Sequence, residues 1–106
     1  MTNLQDRMKA YEAKFALDEE LRFKAEARRN KLVGLWAAGL LGKTGEAADA
    51  YAREVVAADF EEAGHEDVVR KIKADFDAAG IARSEDDIRT QLIELLAVAI
   101  AQLEAD

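Results

Sequence analysis

The most constraining feature of this sequence is an apolar pattern with a period of three to four residues, which runs through a chain that contains no proline. This period places apolar side chains on one face of an α-helix. Residue types that favour helix (Ala, Leu, Glu, Lys and Arg) dominate the composition, and β-branched residues are few. Because 106 residues suffice for one modest core, we predict a single all-α domain.

Glycines mark the joints between four predicted helices. Gly42 suits the left-handed position that follows a helix end, and Thr44 then suits the N-cap of the second helix. Gly64 and Gly80 mark the other two joints. The fourth helix opens at Ser84 with an acidic residue three positions later, a spacing that resembles a capping box. Short joints between amphipathic helices predict a small four-helix bundle.

Each predicted helix has an apolar stripe that we expect to face the core. The stripes are Leu17, Leu21, Ala25, Leu32, Leu35 and Trp36 in the first helix, Ala47, Ala48, Tyr51, Ala52, Val55, Val56 and Phe60 in the second, Val68, Val69, Ile72, Phe76 and Ala79 in the third, and Ile88, Leu92, Leu95, Leu96, Ala99 and Leu103 in the fourth.

The N-terminal segment has an apolar stripe of its own, formed by Leu4, Met8, Tyr11 and Phe15. At about 100° per residue, this stripe is rotated by roughly 100° from the one that begins at Leu17, so a straight helix cannot bury both against one core. We predict an N-terminal arm over residues 1–16, frayed or disordered when free and folded on a partner, and a bundle over residues 17–106. The alternative is a bend near residues 18–20 that returns the arm to the core.

The charge and the apolar runs limit the classes of partner. A net charge of −7 argues against nucleic acid and against docking on an anionic membrane. The longest apolar run, Leu95–Ala101, is too short for membrane insertion, and the N-terminus lacks a secretory signal. The absence of cysteine excludes disulfides and thiolate metal ligands. Proteins are the remaining class of partner, and we expect a monomer when the chain is free.

Two strings suggest chemistry, and we interpret both structurally. Residues 37–44 satisfy a relaxed phosphate-loop pattern, but that loop must follow a β-strand, and residues 32–41 read as helix. Glu62 precedes His65 with the spacing of di-metal bundle motifs, but the motif occurs once and Gly64 interrupts it. We therefore interpret His65 as a solvent-exposed residue at a helix start, and we predict neither a metal site nor enzymatic activity.

A basic cluster in the first helix points in several directions, which favours a solvated surface over a phosphate-reading strip. Ion pairs at i, i+4, such as Asp18 with Arg22 and Glu20 with Lys24, fit that interpretation. The alternative is that this cluster and the acidic residues Asp18, Glu19 and Glu20 together form a polarised docking surface for a charged partner. The cluster consists of Arg22, Lys24, Arg28, Arg29 and Lys31.

The sequence also resembles a known family. Its runs over 6–7, 10–16, 18–21, 23–32 and 34–38 resemble the ζ subunit family of alphaproteobacterial F-type ATP synthases, and the stretch Asp18–Trp36 is the most distinctive. The likeness extends through Leu41–Lys43, Tyr51–Ala52, Asp59–Glu61, Lys73–Gly80 and Glu94–Ala99.

This resemblance implies a regulatory subunit that inhibits ATP hydrolysis by the catalytic head, whose α, β and central stalk subunits are the partners. The arm is implied to insert as a helix at a catalytic α/β interface near the stalk and to block rotation in the hydrolysis direction. The location is then the cytoplasm, at the inner membrane through the synthase. The family is also associated with weak adenine nucleotide binding, for which this sequence indicates no residues, and with no other cofactor. The implied partner-binding residues are Leu4, Asp6, Arg7, Met8, Tyr11, Glu12, Lys14 and Phe15.

Four positions depart from the family pattern. The family tends to carry Phe at the positions of Leu4 and Tyr11, Glu at that of Met8, and His at that of Leu17. The changes at positions 4 and 11 keep apolar bulk, and Met8 replaces a charge with a flexible apolar group. The alternative function is therefore a weakly inhibitory or non-inhibitory member that serves as a protein-binding module for the synthase or another partner.

Overall fold

A computed structural model of the chain describes residues 19–59 and 65–105. Within these residues the chain forms four α-helices and no strand. They are α1 (Glu19–Leu40), α2 (Gly45–Ala58), α3 (Glu66–Ala78) and α4 (Glu85–Ala105). Helix α1 packs against both α2 and α4, and α3 joins the bundle mainly through α2 and α4. The predicted all-α bundle of four helices is confirmed.

The first joint follows the predicted chemistry. Gly42 takes a φ of +78°, and the amide of Lys43 donates to the carbonyl of Ala38 at 2.9 Å, which closes the C-terminal turn of α1. Thr44 is the N-cap of α2 and has an extended backbone, but its side chain makes no capping hydrogen bond. Its carbonyl instead accepts from the amide of Ala47 at 3.2 Å. The sequence thus predicts the position of the cap correctly but not its chemistry.

The joint between α3 and α4 has both of its predicted features, the glycine after the helix end and the capping box. Gly80 has a φ of +73°, and the amide of Ile81 donates to the carbonyl of Phe76 at 2.8 Å. The amide of Asp87 then donates to Ser84 Oγ at 3.1 Å, and the amide of Ser84 donates to Asp87 Oδ2 at 3.1 Å. This reciprocal pair is the predicted capping box, which satisfies two amides at the start of α4.

The core is continuous across all four helices. Half-buried Trp36, Leu41, Ala48, Ile81 and Leu95 pack around it, and the rings of Trp36 and Phe76 meet edge to face with centroids 5.7 Å apart. The buried cluster comprises Val33, Ala37, Ala38, Tyr51, Val55, Val68, Val69, Ile72, Phe76, Ile88 and Leu92.

Helix α1 buries a different face from the predicted one. Its buried apolar residues are Ala25, Val33, Ala37 and Ala38, whereas Leu21, Leu32, Leu35 and Trp36 are only half-buried. The reason is a close approach to α2, since a Cβ atom added at Gly34 would lie 2.7 Å from Ala52 Cα. Small residues permit this approach, so they occupy the interface and the larger side chains lie along its margin.

Smaller corrections concern the ends of stripes. Ala47 is exposed in the first turn of α2, and Ala79 is exposed because α3 ends one residue before it. Leu95, Leu96 and Leu103 are half-buried rather than buried. Leu17 and Phe60 lie outside the described residues.

Candidate functional site

The predicted partner-binding residues belong to the N-terminal arm and lie outside the described residues. They are Leu4, Asp6, Arg7, Met8, Tyr11, Glu12, Lys14 and Phe15. The described part of the chain contains two other features that could serve a function, namely a buried polar cluster and a charged surface cleft.

The polar cluster joins three helices at one point. Arg29 and Asn30 of α1 are each 2% exposed, although both carry polar side chains. Asn30 Oδ1 accepts from Arg29 Nε at 3.2 Å and from Arg29 Nη2 at 3.0 Å. Asn30 Nδ2 donates to Oδ2 of Asp59, the residue that caps the C-terminus of α2, at 2.8 Å. Asn30 therefore links the guanidinium and the carboxylate through both ends of its amide.

The N-cap of α3 completes this cluster. Arg29 Nη2 lies 2.9 Å from Nδ1 of His65. Arg29 Nη1 lies 3.4 Å from Nε2 of the same ring. A guanidinium has only donors, so a hydrogen bond between these two side chains requires the ring nitrogen to accept. Asp59 Oδ1 lies 3.6 Å from the same Nδ1 and has no hydrogen-bond partner among the described residues.

Burial and the neighbouring carboxylates act in opposite directions on Arg29. Burial lowers the pKa of its guanidinium, and the charges of Asp59 and Glu26 raise it. An arginine stays protonated in this situation, so its charge must be balanced locally. The carboxylate of Asp59, at 3.9 Å from Nη2, supplies that balance. The cluster therefore couples the α2–α3 connection to α1 by charge and hydrogen bonds.

The prediction that Arg29 belongs to a solvated surface is wrong. Arg22, Lys24 and Lys31 are exposed as expected, and Lys24 pairs with Glu20 at 3.2 Å, but Arg29 is buried. Asp18, the other predicted pairing residue, lies outside the described residues. The helical spacing could have predicted this burial, since Arg29 lies four residues after Ala25 and four before Val33, on the same buried face of α1.

His65 lies at a helix start, as predicted, but it is half-buried rather than solvent-exposed, because its ring packs against Arg29. Its contact with Arg29 could not be foreseen from local sequence, because 36 positions separate the two residues. Glu62 and Gly64 lie outside the described residues. The described residues contain no group of three or more histidine, cysteine or carboxylate side chains that could hold a metal ion.

The string over residues 37–44 forms the end of α1, its C-terminal turn and the N-cap of α2. The strand that a phosphate loop requires does not precede it, because residues 32–40 are helical. Lys43, the lysine of the string, lies 5.9 Å from the centroid of the Tyr51 ring.

The surface cleft lies between α1 and α2 and has a volume of about 380 Å³. Its apolar lining comes from Ala52 and Val56, and its charged lining from Lys31, Asp49 and Arg53. Nothing in the periodicity of the sequence predicted this cleft, because it depends on how closely α1 and α2 pack.

These features define a small α-helical bundle with a polar cluster in its interior and a charged cleft on its surface. A family model for the ATPase inhibitor subunit zeta matches residues 1–102, and the chain therefore belongs to that family. A protein whose structure was determined in solution by NMR is 59% identical, with a TM-score of 0.72 over 80% of this chain and 96% of the other. A search of curated proteins found no match. Among the described residues, no helix has the length and apolar character needed to cross a membrane.

Proposed function

We propose that this chain is a regulatory subunit that inhibits ATP hydrolysis by the catalytic head of an F-type ATP synthase. The observation that carries the proposal is the match of the inhibitor family model to residues 1–102, because it spans the N-terminal arm as well as the bundle. The chain itself has no catalytic role in this proposal. It reaches the membrane only through the synthase.

In this proposal residues 1–16 form the inhibitory segment. The apolar residues Leu4, Met8, Tyr11 and Phe15 recur at helical spacing and dock in a groove of the head. Their site is a catalytic α/β interface near the central stalk, where an inserted helix blocks rotation in the hydrolysis direction. The core described above lies within residues 19–105, which supports a bundle that can fold while the arm engages a partner.

The test compares the full chain with a variant that lacks residues 1–16, in an ATPase assay of the isolated head from the same organism. We expect the full chain to inhibit and the shortened chain to lose inhibition while it keeps its helical circular dichroism and melting temperature. Full inhibition by the shortened chain would contradict the role of the arm.

Point variants sharpen this test. Phe15→Ala and Tyr11→Ala should weaken inhibition with no change in melting temperature. Ile93→Ala is the matched control, since Ile93 is 73% exposed on α4 and lies outside the proposed inhibitory segment. Lower melting temperatures in the two arm variants would instead support an arm that packs into the core.

The second candidate function is a protein-binding module with weak or no inhibition, motivated by Leu4, Met8, Tyr11 and Leu17, where the family tends to carry other residues. Binding and inhibition must therefore be measured on the same preparation of the head. Tight binding with unchanged ATPase activity would favour this second function, and parallel saturation of binding and inhibition would favour the first.

A further inference from the structure

The described residues include twelve lysine and arginine side chains. Seven of them lie within 4 Å of a carboxylate: Arg22, Lys24, Arg29, Arg70, Lys71, Lys73 and Arg89. In contrast, no ion pair joins Lys31, Lys43, Arg53 or Arg83 to any other described residue, although the whole chain has 22 acidic and 15 basic side chains. Two of these four cations, Lys31 and Arg53, lie together, which needs a physical explanation in a chain with an excess of carboxylates.

These two cations share the cleft between α1 and α2. Lys31 comes from α1 and Arg53 from α2, and both are exposed. The accessible apolar surface of the cleft comes from half-buried Val56, since Ala52 is only 1% exposed, and Asp49 adds one negative charge. The charged side chains of the cleft therefore sum to one positive charge, on a chain whose net charge is −7.

We propose that this cleft is a second docking surface, which receives an acidic segment of the partner. Carboxylates of that segment pair with Lys31 and Arg53, and one of its apolar side chains covers the half-buried Val56. Charge complementarity selects this occupant, because a cationic cleft on an acidic protein attracts acidic segments and repels basic ones. The identity of the partner as the catalytic head rests on the proposed function, whereas the chemistry of the segment rests on the cleft alone.

The test uses two full-length variants that change the net charge equally. Lys31→Glu with Arg53→Glu reverses the cleft. Lys43→Glu with Arg83→Glu is the matched control, since both residues are exposed and neither lines the cleft. Circular dichroism and melting temperature establish that both variants fold.

The measured quantity is the rate of association with the isolated catalytic head as a function of salt. We expect the cleft variant to associate about tenfold more slowly than the control at low salt, and the two rates to converge at high salt, where surface charges are screened. Equal rates for the two variants, with normal binding by the unmodified chain, would overturn the cleft proposal alone. Absence of any binding by the unmodified chain would overturn the proposed function and the cleft proposal together.

A second measurement identifies the occupant directly. A carbodiimide joins an amine to a neighbouring carboxylate without a spacer, so Lys31 in the complex of the unmodified chain should become linked to an aspartate or glutamate of the head. Mass spectrometry of the digested complex locates that link. A link from Lys31 to another copy of this chain, or no link to the head, would overturn the proposal.

Discussion

Arg29 Nη2 lies 2.9 Å from His65 Nδ1 although 36 positions separate the two residues. Through this contact α1 reaches the first residue before α3, and through Asn30 it also reaches Asp59 at the end of α2. The two ends of the α2–α3 connection are thus bound to the same turn of α1. The α2–α3 connection is therefore coupled to α1 by polar contacts in addition to the apolar core.

Replacing Arg29 with Met should destabilise the bundle by about 3 kcal/mol, because it leaves the carboxylate of Asp59 partly buried without its cation. Urea denaturation followed by circular dichroism measures this change. Arg22→Met is the control, since Arg22 is exposed and, among the described residues, pairs only with Glu26 of its own helix, so it should cost less than about 0.5 kcal/mol.

A double-mutant cycle tests whether Arg29 and Asp59 act together. If they do, Arg29→Met combined with Asp59→Asn should cost less than the sum of the two single changes, because the second substitution removes the unpaired charge. Strictly additive losses would indicate that the two side chains stabilise the fold independently.

The close approach of α1 and α2 predicts that the same substitution, glycine to alanine, has opposite effects on stability at two positions of α1. Gly34→Ala should destabilise the bundle by about 1–3 kcal/mol, because its Cβ would lie 2.7 Å from the backbone of Ala52 and would force the helices apart. Gly39→Ala should instead stabilise by about 0.5–1 kcal/mol, since its Cβ meets no atom within 4 Å and alanine favours helix. Thermal unfolding measures both, and equal effects at the two sites would contradict this packing.

These contacts show where sequence reasoning succeeds. The joints at Gly42 and Gly80 and the capping box of Ser84 with Asp87 are local signals, and the structure has all of them at the predicted positions. Their physics involves only a few neighbouring residues, so the sequence contains what is needed to predict them.

The burial of Arg29 and the half-buried position of Trp36 could not be predicted from such local signals. Two of the partners that hold Arg29 in the interior, Asp59 and His65, come from distant positions in the sequence. Trp36 is half-buried because the approach of Gly34 to Ala52 decides which face of α1 becomes the interface. Both depend on how the helices assemble, which hydrophobic periodicity does not specify. The arm residues of the predicted site lie outside the described residues, and their role stays a prediction.

The capping box should account for a measurable share of the stability of α4. Ser84→Ala removes the acceptor for the amide of Asp87 and should cost about 1 kcal/mol. Ser84→Thr is the control, because threonine keeps a hydroxyl at the same position and should recover most of the loss. Thermal unfolding of the two variants measures the difference, and no loss in the alanine variant would mean that water replaces the cap without cost.

Tyr51 should make the bundle sensitive to alkaline pH. Its hydroxyl donates to Asp75 Oδ2 at 2.7 Å, and its pKa is raised, first by burial and then by the hydrogen bond and charge of Asp75. The unfolded chain loses this proton near pH 10, while the folded chain retains it to higher pH. The unfolded state then binds fewer protons, so the free energy of unfolding falls as the pH rises above about 10, by up to about 1.4 kcal/mol per pH unit.

Tyr51→Phe isolates this contribution, because the other groups that titrate in the same range are unchanged. At neutral pH the variant should lose about 1 kcal/mol with the hydrogen bond, since Asp75 keeps its second partner, Lys71 Nζ, at 3.2 Å. Above pH 10 the stabilities of the variant and the unmodified chain should approach each other. Urea denaturation at several pH values from 7 to about 11 measures the difference. A difference that stays constant across this range would mean that the folded chain releases the Tyr51 proton as readily as the unfolded chain does.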